Sequence, residues 1–148
     1  MTAAAFRLTP EIVAERSIHE SCAAVLDRLL LPPAFWFSAA IGATTLSPQQ
    51  AAALSRAGIK RGLPDLLVLS PDARGPRIFG IELKRHNGRL SRTRIVRTRR
   101  GSPRILEGQE DVFPKLEAAG MDICVAHSVD EMLAALDRWQ IPLRSHHR

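Results

Sequence analysis

Three side chains combine the types and spacing that hydrolysis of a phosphodiester on a bound cation requires. Asp65 closes the string Gly62-Leu63-Pro64-Asp65 and opens an apolar run, Leu66-Leu67-Val68-Leu69. After a turn comes Gly80-Ile81-Glu82-Leu83-Lys84-Arg85. Strand side chains alternate between faces, so Glu82 and Lys84 share one face while Ile81 and Leu83 take the apolar one. Asp65, at the mouth of the neighbouring strand, falls across from Glu82. Two converging carboxylates with an ammonium beside them offer hard oxygen donors of the kind that hold Mg²⁺ or Mn²⁺. Such a cation lowers the pKa of bound water and takes up charge developing on the phosphate. Lys84 suits the orienting role because a lysine is a point charge with a shiftable pKa, which guanidinium is not. It is also one of only three lysines among 21 basic residues, so it is not part of a general background of arginine.

A Glu-x-Lys pair alone is common on exposed strands, and its weight comes from the elements that position it. Thr9-Pro10-Glu11 predicts a helix start. Ile12, Ile18, Cys22, Val25, Leu26, Leu29 and Leu30 then recur at helical spacing until Pro32-Pro33. Glu15 and His19 fall inside that apolar stripe, Arg16 and Glu20 outside it. A carboxylate aimed at the interior is costly unless a cation or hydrogen bonds compensate it. His19 reads as a packed histidine beside the site rather than a ligand. Further along, the pattern predicts a strand at 35–40, a helix opened by the capping box Ser47-Pro48-Gln49-Gln50 and closed at Gly58, and strands at 65–70 and 77–85 around a turn at 71–76. A helix from Gln109 to Gly120, a strand at 121–127 and a last helix behind the full capping box Ser128-Val129-Asp130-Glu131 complete the chain. This order is that of the α/β class: a mixed central sheet flanked by helices, one domain over residues 1–148.

Charge is concentrated. Residues 1–73 carry six basic and six acidic side chains, residues 74–104 eleven and one, and residues 105–148 four and eight. The net charge of +6 is therefore a +10 stretch set beside a −4 end, and a basic stretch of that density points to a polyanion, nucleic acid first. Alternation of Arg with Thr, Ile and Val around Gly101-Ser102-Pro103 predicts a half-exposed basic hairpin at about 92–107. Arg92, Arg94, Arg97, Arg99, Arg100 and Arg104 there, with Lys60, Arg61 and Arg85 nearer the carboxylates, are candidates for contacts to backbone phosphate, which give affinity without reading sequence.

These strings resemble the PD-(D/E)XK nuclease superfamily and, within it, the VRR-Nuc branch. The resemblance rests on Gly62-Leu63-Pro64-Asp65, Ile81-Glu82-Leu83-Lys84, Gly88-Arg89-Leu90-Ser91, a helix-opening Gln109, the Ser-x-Asp-Glu helix start at Ser128 and the early Glu15, Ile18 and His19. It implies a restriction-endonuclease-like αβββαβ core. It also implies that Asp65 and Glu82 bind the metal with the Leu83 carbonyl as a third ligand, that Lys84 and Gln109 complete the site, and that Glu15 assists. The branch keeps its Gln within a few residues of Leu-Ser. Here eighteen positions separate Ser91 from Gln109, which makes 92–104 an inserted element reaching toward substrate.

The expected activity is a Mg²⁺- or Mn²⁺-dependent DNA endonuclease of repair or recombination. It would be structure-specific for branched, Holliday-junction-like DNA, homodimeric and cytoplasmic. A restriction-type or single-strand nuclease on the same site, or a DNA-binding module without turnover, are the alternatives. No apolar run reaches the length of a membrane span, no glycine-rich phosphate loop implies a nucleotide cofactor, and the sequence around Ser38 and Ser91 does not suggest the His–Asp arrangement of a serine hydrolase. Cys22 and Cys124 lack metal-ligand spacing and read as buried free thiols. Trp36 and Trp139 read as core or interface residues rather than base-stacking platforms, and His127 and His146-His147 as bystanders.

Overall fold

The computed structural model describes residues 10–39 and 47–145, with side chains of the first helix from Glu15 onward. The expected Thr9 cap, the Ile12 side chain, the Ala40 end of the first strand and His146-His147 lie outside these residues. In chain order the elements are α1 (Pro10–Leu29), β1 (Phe35–Ser38), α2 (Pro48–Arg56), β2 (Leu66–Asp72), β3 (Gly75–Leu83), β4 (Arg94–Arg97), β5 (Pro103–Leu106), α3 (Gln109–Ala118), β6 (Asp122–Ala126) and α4 (Val129–Arg138). β1, β2, β3 and β6 form one sheet in that order, while β4 and β5 form a separate two-stranded ribbon. β1–β2 and β2–β3 are antiparallel and β3–β6 is parallel, so the described residues make a mixed α/β fold. A parallel neighbour demands a long crossover, and the ribbon with α3 supplies it.

The faces of the sheet divide as the strand period requires. Leu66 and Val68 of β2, Phe79, Ile81 and Leu83 of β3 and Ala126 of β6 pack with Cys22 and Leu26 of α1 and Met132 and Leu136 of α4. Trp139 stacks on Phe79 with ring centres 4.9 Å apart, and Trp36 packs against the same core while its indole N–H donates to Asp27. The opposite face carries the alternate residues. There Gly80 is pressed under Pro64, since a Cβ at Gly80 would come within 2.6 Å of the Pro64 ring and 3.0 Å of the Met121 sulfur. The proline of the Gly62-Leu63-Pro64-Asp65 string is thus buried on β3, two residues before Glu82 and on its side of the strand.

Several boundaries differ from those expected. Residues 71–76 are not all turn: β2 and β3 stay paired through Pro71 opposite Pro76 and Asp72 opposite Gly75. An antiparallel ladder alternates bonded and non-bonded pairs, and two prolines facing each other occupy a position where no N–H is required. The turn shrinks to Ala73-Arg74, with the Asp72 carboxylate accepting from the Arg74 N–H and Gly75 at positive φ. At its other end β3 stops at Leu83, not Arg85. Lys84 still donates its N–H to the Ala126 carbonyl, after which the chain leaves the sheet in the Asn87-Gly88 turn. α2 has its reciprocal Ser47–Gln50 capping box. In α4 only half of the expected box forms: the Ser128 hydroxyl accepts from the Glu131 N–H, but the Glu131 carboxylate reaches past Ser128 to the N–H and ring of His127. No helix among the described residues is long and apolar enough to cross a membrane.

Candidate active site

Asp65 sits immediately before β2, and its backbone is fixed from the β1 side. The Ala39 N–H and the Ser38 hydroxyl both donate to the Asp65 carbonyl, at 2.9 and 3.2 Å. Its carboxylate turns the other way and accepts the Leu83 N–H at 2.8 Å. The N–H and C=O of an extended residue leave the same edge of a strand, so the Leu83 carbonyl opens on the edge that Asp65 occupies. One residue back, Glu82 is 1% exposed. One of its oxygens, Oε1, meets the Lys84 ammonium at 2.7 Å, and the other, Oε2, is buried without a hydrogen-bond partner.

This arrangement strains both acids electrostatically. Burial pushes the Asp65 pKa up, the Leu83 N–H, Lys84 and His19 pull it back, and the charge of Glu15 adds to the rise. Burial raises the Glu82 pKa too, the Asp65 charge raises it further, and Lys84 followed by the Gln109 amide opposes the shift. A buried acceptor with no donor is a costly feature in a folded protein. Glu82 feels the charge of Asp65 nearby, and the two carboxylates with the Leu83 carbonyl would make an all-oxygen set of the kind a hard divalent cation takes. Three or more His, Cys, Asp or Glu side chains within reach of one ion occur nowhere among the described residues. Glu15 acts on Asp65 through its charge. His19 stands at 3.4 Å from the Ser38 hydroxyl.

Comparison with family models, with curated proteins and with solved structures finds no match to this chain.

Gln109, distant from Lys84 in sequence, is 8% exposed and lies beside Glu82. What places it is Ser91, which the sequence marks only by its distance from Gln109. Ser91 accepts the Gln109 N–H on its hydroxyl at 3.0 Å and donates its own N–H to the Gln109 side-chain oxygen at 3.1 Å. That leaves the Gln109 amide NH₂ facing Glu82. Gly108 makes the closure feasible, because a Cβ there would run into the main chain of Ser91 and Arg92. Two more glycines have similar work. A Cβ at Gly62, which has φ +74°, would come within 3.0 Å of Val112 of α3, and one at Gly88 within 3.1 Å of the Lys84 Cβ. These close approaches depend on the fold and leave no separate signal in the sequence.

The phosphate-contact candidates are spread around this centre. Lys60 and Arg61 are exposed in the loop whose Gly62 packs on α3. Arg85 is half-buried with contacts of its own, and Arg92 lies 3.5 Å from the Glu110 carboxylate. Arg94, Arg97, Arg99, Arg100 and Arg104 are exposed along the β4–β5 ribbon. Arg99 and Arg56 of α2 share a cleft of about 400 Å³ with Pro48, Gln49 and Ala52, and Arg56 was not among the expected contacts. Both cysteines are held as thiols, their pKa values pushed up to about 11 by burial, which leaves no ready thiolate for catalysis or metal binding.

Proposed function

We propose that this chain is a divalent-metal-dependent endonuclease that hydrolyses DNA phosphodiester bonds and selects branched DNA over linear duplex. The observation that carries the proposal is the buried, unpartnered Oε2 of Glu82 beside Asp65, with Lys84 as the neighbouring cation. The order of helix, three antiparallel strands, crossover helix and parallel strand supports reading the core as restriction-endonuclease-like.

In this reading Asp65, Glu82 and the Leu83 carbonyl hold Mg²⁺ or Mn²⁺. When bound, the cation polarises the scissile phosphate and takes up charge that develops on it. Lys84 keeps its ammonium against Glu82, orients the attacking water and stabilises the added negative charge on the phosphate. Gln109, with its oxygen committed to Ser91, keeps its NH₂ toward Glu82 and fixes that carboxylate. Glu15 and His19 adjust the charge on Asp65 from α1. Lys60, Arg61 and the ribbon arginines hold the flanking phosphates by charge, which gives position but no base reading. A second copy of the chain, as the resemblance implies, would supply a second cut across a junction.

The test is cleavage of four-way junction, flap, linear duplex and single-stranded DNA with Mg²⁺ or Mn²⁺. Wild type is expected to cut the branched substrates first, Asp65→Ala is expected to be inactive and Lys84→Ala to be slowed by about 10²-fold or more. Cutting that survives both substitutions overturns the site. Binding of branched DNA with no cutting under any metal overturns the enzyme reading in favour of a binding module.

A further inference from the structure

The ribbon carries an apolar feature that phosphate binding does not explain. Ile95 and Ile105 face each other across β4 and β5, on one face of the ribbon, and are 71% and 64% exposed. They are the two most exposed large aliphatic side chains among the described residues. Cross-strand pairs of this kind normally stabilise a sheet by being covered. Here neither belongs to the core, and no residue from 94 to 106 does. The same thirteen residues hold five arginines and no acid. The Ile–Ile pair therefore sits on an arginine-rich ribbon, with Arg97 on its own face and Arg94 and Arg104 on the other; the acid that follows the ribbon, Glu107, is ion-paired with Lys115. The ribbon is also rigidly held at its root. Ser91 and Gln109 exchange two hydrogen bonds there, and the Gly108 N–H donates to the Thr93 hydroxyl at 2.9 Å. Its tip is closed by Thr98–Ser102 and Gly101–Thr98 main-chain bonds.

We propose that the 94–106 ribbon is a wedge for interrupted duplexes: Ile95 and Ile105 pack on base faces left unstacked at a branch point while the surrounding arginines hold the adjoining phosphates. This deepens the nuclease reading and rests on it, naming how a substrate class is selected at that site. Charge complementarity commits the ribbon to a polyanion, because five arginines with no acid among residues 94–106 repel a second copy of the same ribbon. Apolar side chains inserted between bases must offset the cost of unstacking. At a branch, flap or nick the base faces are already exposed, so that cost is small and the contact is a gain. A fully stacked duplex offers the same pair only water or phosphate. Strands of four residues span about 13 Å, and a two-stranded ribbon is narrow enough to enter a groove or a junction centre. The root of the ribbon meets Gln109, whose side chain interacts with Glu82. A base-unstacking probe thus reports on the same complex that is cut.

The test uses the full chain without divalent metal, so that cleavage cannot intervene. A four-way junction and a linear duplex of the same arm sequence carry 2-aminopurine at the branch position or its equivalent. Wild type is expected to bind the junction more tightly and to raise its 2-aminopurine fluorescence. Ile95→Ser with Ile105→Ser is expected to lose roughly tenfold on the junction and to abolish the fluorescence rise, with duplex affinity unchanged. The pair is outside the core, so circular dichroism and Tm of the variant should match wild type. Junction preference and fluorescence retained by the double variant overturn the wedge alone. Equal loss on both DNAs overturns it too, as does a wild-type dimer that the double variant dissolves, since the pair would then serve self-association. Failure of wild type to bind or cut any DNA overturns the nuclease reading together with the wedge.

Discussion

Ser91 and Gln109, eighteen positions apart, are joined by two reciprocal hydrogen bonds that close the root of the basic ribbon and set the glutamine amide beside Glu82. The segment between them is thus looped out while its two flanks meet. Ser91→Ala should cost about 1 kcal/mol of stability, as expected for loss of one hydroxyl acceptor from a half-buried N–H. In a double-mutant cycle with Gln109→Ala by urea unfolding, a coupling of roughly 0.5–2 kcal/mol is expected. Additive effects would mean that the two residues do not act as a pair.

Gly108→Ala tests the same closure from the backbone. A methyl group there meets the main chain of Ser91 and Arg92, which has no rotamer by which to yield. The expected loss is on the order of 1–3 kcal/mol, with increased protease sensitivity between residues 92 and 107. Gly101→Ala at the ribbon tip, with open space around its Cβ but positive φ, should affect only the turn.

Asp65 and Glu82 make stability fall with rising pH when no metal is present. Their native pKa values stand above the ordinary 3.8 and 4.5, so between those values and the raised ones the folded state binds more protons than the unfolded. The penalty is absent below the ordinary values and complete above the raised ones. Asp65→Asn, which can still accept the Leu83 N–H, removes one charge and relieves the other. Its Tm in chelator should exceed wild type at about pH 8, by roughly 3 °C for each kcal/mol regained, and the gap should close toward about pH 4. Added Mg²⁺ should raise the wild-type Tm and leave the variant unmoved.

Lys84→Ala separates holding the cation from using it. It removes the counter-charge of Glu82 and the group that orients water, while both carboxylates remain. Junction binding should be preserved within a few-fold and the cleavage rate should drop by about 10²-fold or more, as losses of a positioned charge usually do. Cleavage close to wild type would remove Lys84 from the mechanism.

Arginines on the ribbon should act through salt. Replacing Arg97, Arg99 and Arg100 by Ser is expected to lower the slope of log K against log salt by about 0.9 for each phosphate left without its arginine. An unchanged slope would mean that these three face solvent in the complex.

Much of this was legible because it is local. Alternation placed Glu82 and Lys84 on one face, the Ser47–Gln50 box opened α2 where expected, and arginine alternating with β-branched residues marked a hairpin that folds as β4 and β5. Boundaries moved where tertiary pairing outweighed turn chemistry, as at Pro71 and Pro76, or where an acid found a better donor, as Glu131 did at His127.

The order of amino acids is enough to name the donors, the face they share and the density of positive charge next to them, because residue type, strand period and charge are properties of short stretches. It takes the folded chain to leave Glu82 with an oxygen that has no partner, to spend an Asp65 oxygen on the Leu83 N–H, and to return Gln109 to the site across the ribbon. Burial and long-range hydrogen bonds depend on which segments meet. Here that was settled by glycines at 62, 80, 88 and 108 whose missing side chains let the main chain close.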